Sequence, residues 1–296
     1  MAKSLTPEQV ERRARREARR EKQRQANAGR AAKMHQARLA DSTADLFPVR
    51  GLDDKQTLFI GCSGWFYWDW KGLFYPEELS TSEWFGYYSK HFNTVELNAP
   101  FYSWPTVATV KTWLRQAGRK RFTYTVKVSE LITHVKRFEG TEELVKDFGY
   151  IADLLGPRMG CLLFQLPPSY DYSPERLDNI LRQLEPGRRN VVEFRHKTWW
   201  NDCVYKAFEK ERVVFCSCSG PRLPDQLVKT TDEIYVRFHG VKRWYRYDYS
   251  REELAVWSER IAASDAKRAW VYFNNDFGGN AIRNARALRR MLTASC

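Results

Sequence analysis

From residue 57 onward, short runs rich in Val, Ile, Phe and Tyr alternate with stretches of helical periodicity. They predict eight strands, over residues 58–64, 94–99, 121–128, 161–166, 190–196, 213–219, 233–240 and 268–275. Helix punctuation lies between them. Ser80 with Glu83 and Ser250 with Glu253 have capping-box spacing, Ser173-Pro174 opens a helix, and Gly156-Pro157 closes one. Only the crossover over 220–232 is too short and proline-broken for a full helix. Regular alternation implies a parallel sheet, and eight units with no mid-chain break predict one TIM-type β/α barrel over 57–293.

Side chains alternate faces along a strand, so each strand divides into two parities. One parity is apolar throughout, as in Val95 and Leu97, Phe122, Tyr124 and Val126, or Ile234, Val236 and Phe238, and should face the helices. The other turns polar at the strand ends: Glu96 and Asn98, Lys127, Gln165, Glu193 and Arg195, Arg237 and His239, Asn274. That parity predicts a polar site at the carboxyl mouth, where barrels of this kind place their active sites. Glu96 and Glu193 suit general acid–base work, or else ion pairs with Lys127 and Arg195. Arg195 and Arg237 suit planar recognition of carboxylate or phosphate, and Lys127 suits anion binding or, if desolvated, an imine. Glu96, Glu193, His239 and Asn274 have ligand types for a divalent metal, without diagnostic spacing. The run Asn274-Asn275-Asp276-Phe277-Gly278-Gly279 before a helix at Asn280 fits a phosphate loop or a plain tight turn.

Aromatic clusters follow several strands: Trp65 to Trp70, Phe101 to Trp104, Trp199 with Trp200, and Trp244 to Tyr249. They read either as a stacking collar, with Trp65 and Trp199 against a ligand, or as loops packing on the rim. The chain has 43% apolar residues, 15% aromatics and net charge +13. Twelve Lys or Arg against four Glu in residues 1–40 account for +8 of that charge. Residues 1–46 therefore read as a basic, mobile or solvated-helical tail ending near Phe47-Pro48, with only Val10, Ala14 and Ala18 forming an apolar stripe. Six cysteines without a C-x-x-C pair, and no membrane-length apolar run, fit a cytoplasmic protein with free thiols and no membrane partner.

The motifs Ile60-Gly61-Cys62-Ser63-Gly64-Trp65, Thr94-Val95-Glu96-Leu97-Asn98, Phe164-Gln165-Leu166-Pro167-Pro168, Val192-Glu193-Phe194-Arg195-His196 and Tyr235-Val236-Arg237-Phe238-His239-Gly240 resemble the YecE-like family, the domain of unknown function 72. The resemblance covers about residues 57–293 and implies a TIM-type barrel, with Glu96, Lys127, Gln165, Glu193, Arg195, His196, Arg237, His239 and Asn274 as its shared polar set. At Cys216-Ser217-Cys218-Ser219 the chain departs from the family, which usually has an acidic residue there. The resemblance lends no reaction.

Two functions follow as expectations. One is an enzyme (hydrolase, lyase or isomerase) for a small or nucleotide-like anion, using Glu96, Lys127, Glu193 and His239, with Asn98, Gln165, Arg195, His196, Arg237, Asn274, Trp65 and Trp199 binding substrate. The other is a noncatalytic nucleic-acid module using residues 1–40 and the aromatic loops; carbohydrate hydrolysis by the paired carboxylates is a weaker third. The sequence carries no signal for oligomeric state.

Overall fold

The computed structural model describes residues 6–41 and 57–294, so the boundary expected near Phe47-Pro48, and Cys296, lie outside the described residues. Helix α1 (Pro7–Ala40) comes first. The chain then runs through β1 (Leu58–Cys62), α2 (Trp84–His91), β2 (Thr94–Leu97), α3 (Ala99–Tyr102), α4 (Val107–Ala117), β3 (Thr123–Lys127) and α5 (Glu142–Leu155). It continues through β4 (Met159–Gln165), α6 (Pro174–Gln183), β5 (Asn190–Glu193), α7 (Asp202–Lys210), β6 (Val214–Ser219), β7 (Glu233–Phe238), α8 (Arg251–Ala263), β8 (Arg268–Phe273) and α9 (Asn280–Ala294). All eight expected strands form, with no helix between β6 and β7. Both expected capping boxes are made, Ser173 caps α6, and Gly156 ends α5 at a φ of 54°. Among the described residues no helix is long and apolar enough to cross a membrane.

The strands form one parallel sheet in the order β1-β8-β7-β6-β5-β4-β3-β2, a nearly closed barrel. The apolar parity packs outward with the helices, so Val95, Leu97, Tyr124, Val126, Val236, Phe238 and Phe273 share a buried cluster with residues of α1, α2 and α4 to α9. A second, smaller cluster fills the barrel: Phe59, Cys161, Leu163, Val191, Val214, Cys216, Cys218, Tyr235, Trp270 and Tyr272. Phe59 stacks on Trp270 at 4.1 Å. A Cβ on Gly160 would lie 2.9 Å from the Trp270 ring, so glycine there makes room for the indole. Above this floor the Tyr272 hydroxyl meets Thr94 Oγ1 at 2.7 Å and Thr125 Oγ1 at 2.8 Å, so a buried polar group is satisfied before the charged layer begins.

Seven junctions carry backbone ladders, and the eighth, between β1 and β2, is closed by side chains. The Tyr88 hydroxyl accepts from the Cys62 N–H at 2.8 Å and donates to the Thr94 carbonyl at 3.1 Å. Below it the Asn93 amide accepts from the Ile60 N–H and donates to the Leu58 carbonyl. The strands approach so closely that a Cβ on Gly61 would lie 2.3 Å from the Thr94 carbonyl oxygen.

The N-terminal segment requires a correction. Residues 7–22 are exposed throughout, as in a solvated helix, but the second half of α1 is docked on the barrel. The docking face is Asn27, Ala31 and Met34, at i, i+4, i+7, and not the thinner stripe nearer the N-terminus. The Asn27 amide donates to the Tyr102 carbonyl at 2.9 Å and accepts from the Trp104 N–H at 3.0 Å. Farther along, His35 and Arg38 meet Asp147 of α5 at 3.0 and 2.9 Å. Polar anchors therefore supply what the sparse apolar surface lacks.

Removing the Tyr88 hydroxyl leaves a buried N–H and a buried carbonyl unpaired. Tyr88→Phe is expected to lower unfolding free energy by ~1–3 kcal/mol in urea titration, with the barrel still formed by far-UV circular dichroism.

Candidate active site

The inward parity of each strand places its last side chain at the carboxyl mouth, so residues far apart in sequence meet in one layer. Arg237, fully buried, lies between two carboxylates. Its Nη2 donates to Glu96 Oε1 at 2.6 Å and its Nη1 to Glu193 Oε2. Glu96 also accepts from Ser63 Oγ at 2.7 Å and Tyr235 OH at 2.5 Å. Glu193 takes a second guanidinium through Arg195 Nε. Taking one such ion out of water costs several kcal/mol, and these bonds compensate.

Glu193 holds its charge. Burial pushes its carboxyl up, but Arg195 and Arg237 outweigh that and hold it well below the usual carboxylate range. His239 lies 3.4 Å from Glu193 and accepts from Arg195 Nη2 at 3.1 Å, while its Nδ1 faces the Asn274 amide at 3.2 Å. Burial and the two arginines drive its pKa well below 6.5, so the ring is neutral.

Above this sealed layer, Lys127, Gln165, Asn274 and Arg195 reach the opening with only small residual exposure. Lys127 Nζ donates to Gln165 Oε1 at 2.6 Å and lies 3.8 Å from the Phe101 ring centroid. Burial first, then repulsion from Arg237, brings it down to about 7. His134, on a π-helical turn over Leu131–Val135, faces Gln165 at 3.4 Å; burial and Lys127 bring it down to about 4. Trp244 covers the Arg195 guanidinium at 4.4 Å.

Nine expected site residues come together: Glu96, Asn98, Lys127, Gln165, Glu193, Arg195, Arg237, His239 and Asn274. Asn98 donates to the Ser63 carbonyl at 3.2 Å, and its Oδ1 is sealed without a partner. Three others are elsewhere. Trp199 is fully buried, stacked on Phe194 at 3.9 Å, so it is core rather than a ligand platform. Trp65 packs edge-on against Phe85 of α2. His196 caps the turn at Thr198. For the two tryptophans the loop folds back on the outer layer, where aromatic area packs against the surrounding core.

Ser63, His134, Tyr235, Asp276 and Cys218 also belong to the site. Tyr235 and Cys218 share the inward parity with Arg237 and were legible that way; nothing in the sequence singled out Asp276. It lies in the loop read as a phosphate cradle, its Oδ1 sealed and unpartnered, and burial raises its carboxyl to about 8. Arg283 ties that loop by donating to the Gly278 carbonyl at 2.8 Å, which favours the tight-turn reading.

As for a metal, Glu96 already holds three donors and Glu193 two guanidiniums. The described residues that bring ligand atoms within 4.8 Å of one another here are Glu193, Cys218 and His239. Arg195 occupies the position on His239 that a cation would need. Nor does the Arg237 fork leave room for a sugar between the carboxylates. A surface cavity of about 620 Å³ opens at the amino end beside Asn190, Val214 and Glu233, away from all these groups.

The family described as "Protein of unknown function DUF72" matches residues 59–296. UPF0759 protein YunF of Bacillus subtilis (strain 168) is 28% identical over 271 residues, 79% of this chain and 94% of YunF. UPF0759 protein YecE of Escherichia coli (strain K12) is 32% identical over 112 residues, 37% of this chain and 40% of YecE. Among solved structures, a DUF72 family protein from Thermotoga maritima gives a TM-score of 0.73 at 29% identity, covering 80% of this chain and 100% of that one. Another from Enterococcus faecalis gives 0.69 at 19% identity, covering 80% and 95%.

Arg237→Met strands two buried carboxylates and is expected to cost ~3–5 kcal/mol in urea unfolding at pH 7. Without the guanidinium the Glu193 carboxyl rises and protonates as pH falls, whereas wild-type Glu193 stays charged. The deficit should therefore shrink towards pH 4; one that is constant with pH would mean that packing, not charge, is what the variant loses.

Proposed function

The chain belongs to the DUF72 family, and on that footing we propose that its carboxyl mouth is the active site of an enzyme for a small anionic substrate, held by Lys127 and Arg195, with Lys127 transferring the proton. The observation that carries this is the Lys127 amine. It is buried, it has an amide and an aromatic ring as partners, and among the described residues no carboxylate lies within ion-pairing distance. The layer beneath is balanced, two guanidiniums against two carboxylates. A protonated Lys127 is thus the one charge in the cluster without a counterion, and an anion at the mouth supplies it.

The assignment shifts the proton-moving role away from Glu193, whose depressed pKa leaves it a poor base near neutrality. Glu96 and Glu193 instead hold Arg237 and Arg195. With a pKa of about 7, Lys127 is present as both amine and ammonium, the condition for general acid–base work. Neutral His239 orients the Arg195 fork. Proton transfer next to an anionic group falls within lyase, isomerase and hydrolase chemistry.

The sign of the pH effect follows from Lys127. Its folded pKa of about 7 lies below the ~10.4 of an unfolded lysine. The cost of the buried ammonium is therefore fully present below pH 7 and is relieved as pH rises to about 10. A bound anion favours the ammonium, so affinity should fall as pH climbs above 7. The test is thermal unfolding of the full chain with phosphate, sugar phosphates, nucleotides and small dicarboxylates at pH 6 and pH 9. At least one class should raise Tm at pH 6 and do so less at pH 9. Lys127→Met should lose that response while its own Tm at pH 7 rises, by roughly 2–4 °C per kcal/mol gained. An undiminished ligand response in Lys127→Met would overturn the assignment.

A further inference from the structure

Beyond the small-anion mouth, we propose that the free half of α1 is a phosphate-binding arm that lays a single-stranded nucleic acid across the carboxyl rim. Residues 59–296 carry the family match, so this arm is an addition to the family's barrel. The first side chain of α1 to touch the barrel is Gln23, which donates to the Tyr102 carbonyl at 3.1 Å in the loop after β2. Residues 7–22 leave from that point, exposed along their whole length, roughly 24 Å of helix at 1.5 Å per residue. Because Asn27, Arg30 and Arg38 fix the docked half to Tyr102, Ser103 and Glu143, the free half projects from a fixed point on the rim.

Its charges are already sorted. Glu8, Glu11, Glu17 and Glu21 pair with Arg12, Arg15, Arg13 and Arg24 within the helix. Arg16, Arg19 and Arg20 have no carboxylate partner among the described residues, and at i, i+3, i+4 they share one face. A second basic group, Lys242, Arg243 and Arg246, is exposed in the loop after β7.

What lies between them points to the ligand. Phe66, Trp68, Tyr102, Tyr245 and Phe277 are each about half exposed, at 52, 65, 58, 46 and 55%. They sit in the loops after β1, β2, β7 and β8, which form one contiguous arc of the barrel: β7, β8, β1 and, across the seam, β2. Tyr102 anchors α1, its carbonyl accepting from both Gln23 and Asn27. Exposed flat rings flanked by unpaired cations are the platform and electrostatic track that unstacked bases and their phosphates require; a duplex keeps its bases from such rings. An anionic membrane is disfavoured, since Val10 is the only large apolar side chain over residues 7–22 and no insertion face exists.

The test is fluorescence anisotropy of the full chain with labelled 20-nucleotide oligo(U) and oligo(dT) over a salt series, beside vesicles containing phosphatidylserine. Wild type should bind at low salt. The triple variant Arg16→Ala, Arg19→Ala, Arg20→Ala leaves every intrahelical ion pair in place. It should bind at least tenfold more weakly, with the slope of log affinity against log salt flatter by about two, three phosphate contacts at ~0.7 each. Tyr102→Ala with Tyr245→Ala should weaken binding at an unchanged slope. Lys127→Met should bind the oligonucleotide as wild type does, so loss of the small-anion site and loss of the arm are separate results. Equal affinity and slope in the triple variant, or vesicle binding that the triple variant abolishes while oligonucleotides do not bind, would overturn the proposal.

Discussion

The mouth depends on one guanidinium shared by two carboxylates. Arg237 is fully enclosed, and both Glu96 and Glu193 are held to it. Each neighbouring property follows from that arrangement. The positive field of Arg237 and Arg195 keeps Glu193 ionised and His239 neutral, and it works with burial to bring Lys127 near neutrality. A structure built only for stability has little use for such a layer, because well-packed apolar side chains would serve as well or better. The chain instead spends stability on a fixed electrostatic floor beneath a lysine whose proton is easily exchanged.

The floor is supported from below by groups that look ordinary singly. Tyr235 donates to Glu96, while Tyr272 is satisfied by Thr94 and Thr125, so the transition from the apolar plug to the charged layer leaves few buried polar atoms unpaired. Those that do remain in and around the charged layer, Arg237 Nε, Asn98 Oδ1 and Asp276 Oδ1, are sealed and unpartnered. They mark where the site has spare bonding capacity.

Much of this was legible in the sequence, and the reason is periodicity. A strand's parity is fixed by the pleat, so Glu96, Lys127, Gln165, Glu193, Arg237 and Asn274 could be placed inside the mouth without knowing the loops. The loops obey no such period. Trp199 and Trp65 were read either as ligand platforms or as packing on the rim; Trp199 is buried on Phe194, and Trp65 is half-buried against Phe85. His196 lies just past the last ladder residue of β5, where alternation ends. The docked half of α1 was missed for a different reason. Asn27, Ala31 and Met34 form a weak apolar signal, and the contacts that hold it are long-range hydrogen bonds to Trp104 and Asp147, which local patterning does not report.

The β1–β2 seam has a mechanical consequence. A barrel closed by eight backbone ladders is a continuous hoop, whereas this one is a split ring fastened by a tyrosine hydroxyl and an asparagine amide. Opening elsewhere breaks a row of cooperative strand bonds; opening here strains a few side-chain contacts. The gap lies beside Ser63 and Asn98 and beneath the loop carrying Phe101 and Tyr102. The aperture of the mouth is therefore most compliant along that line, while the Arg237 fork keeps its place between the two glutamates.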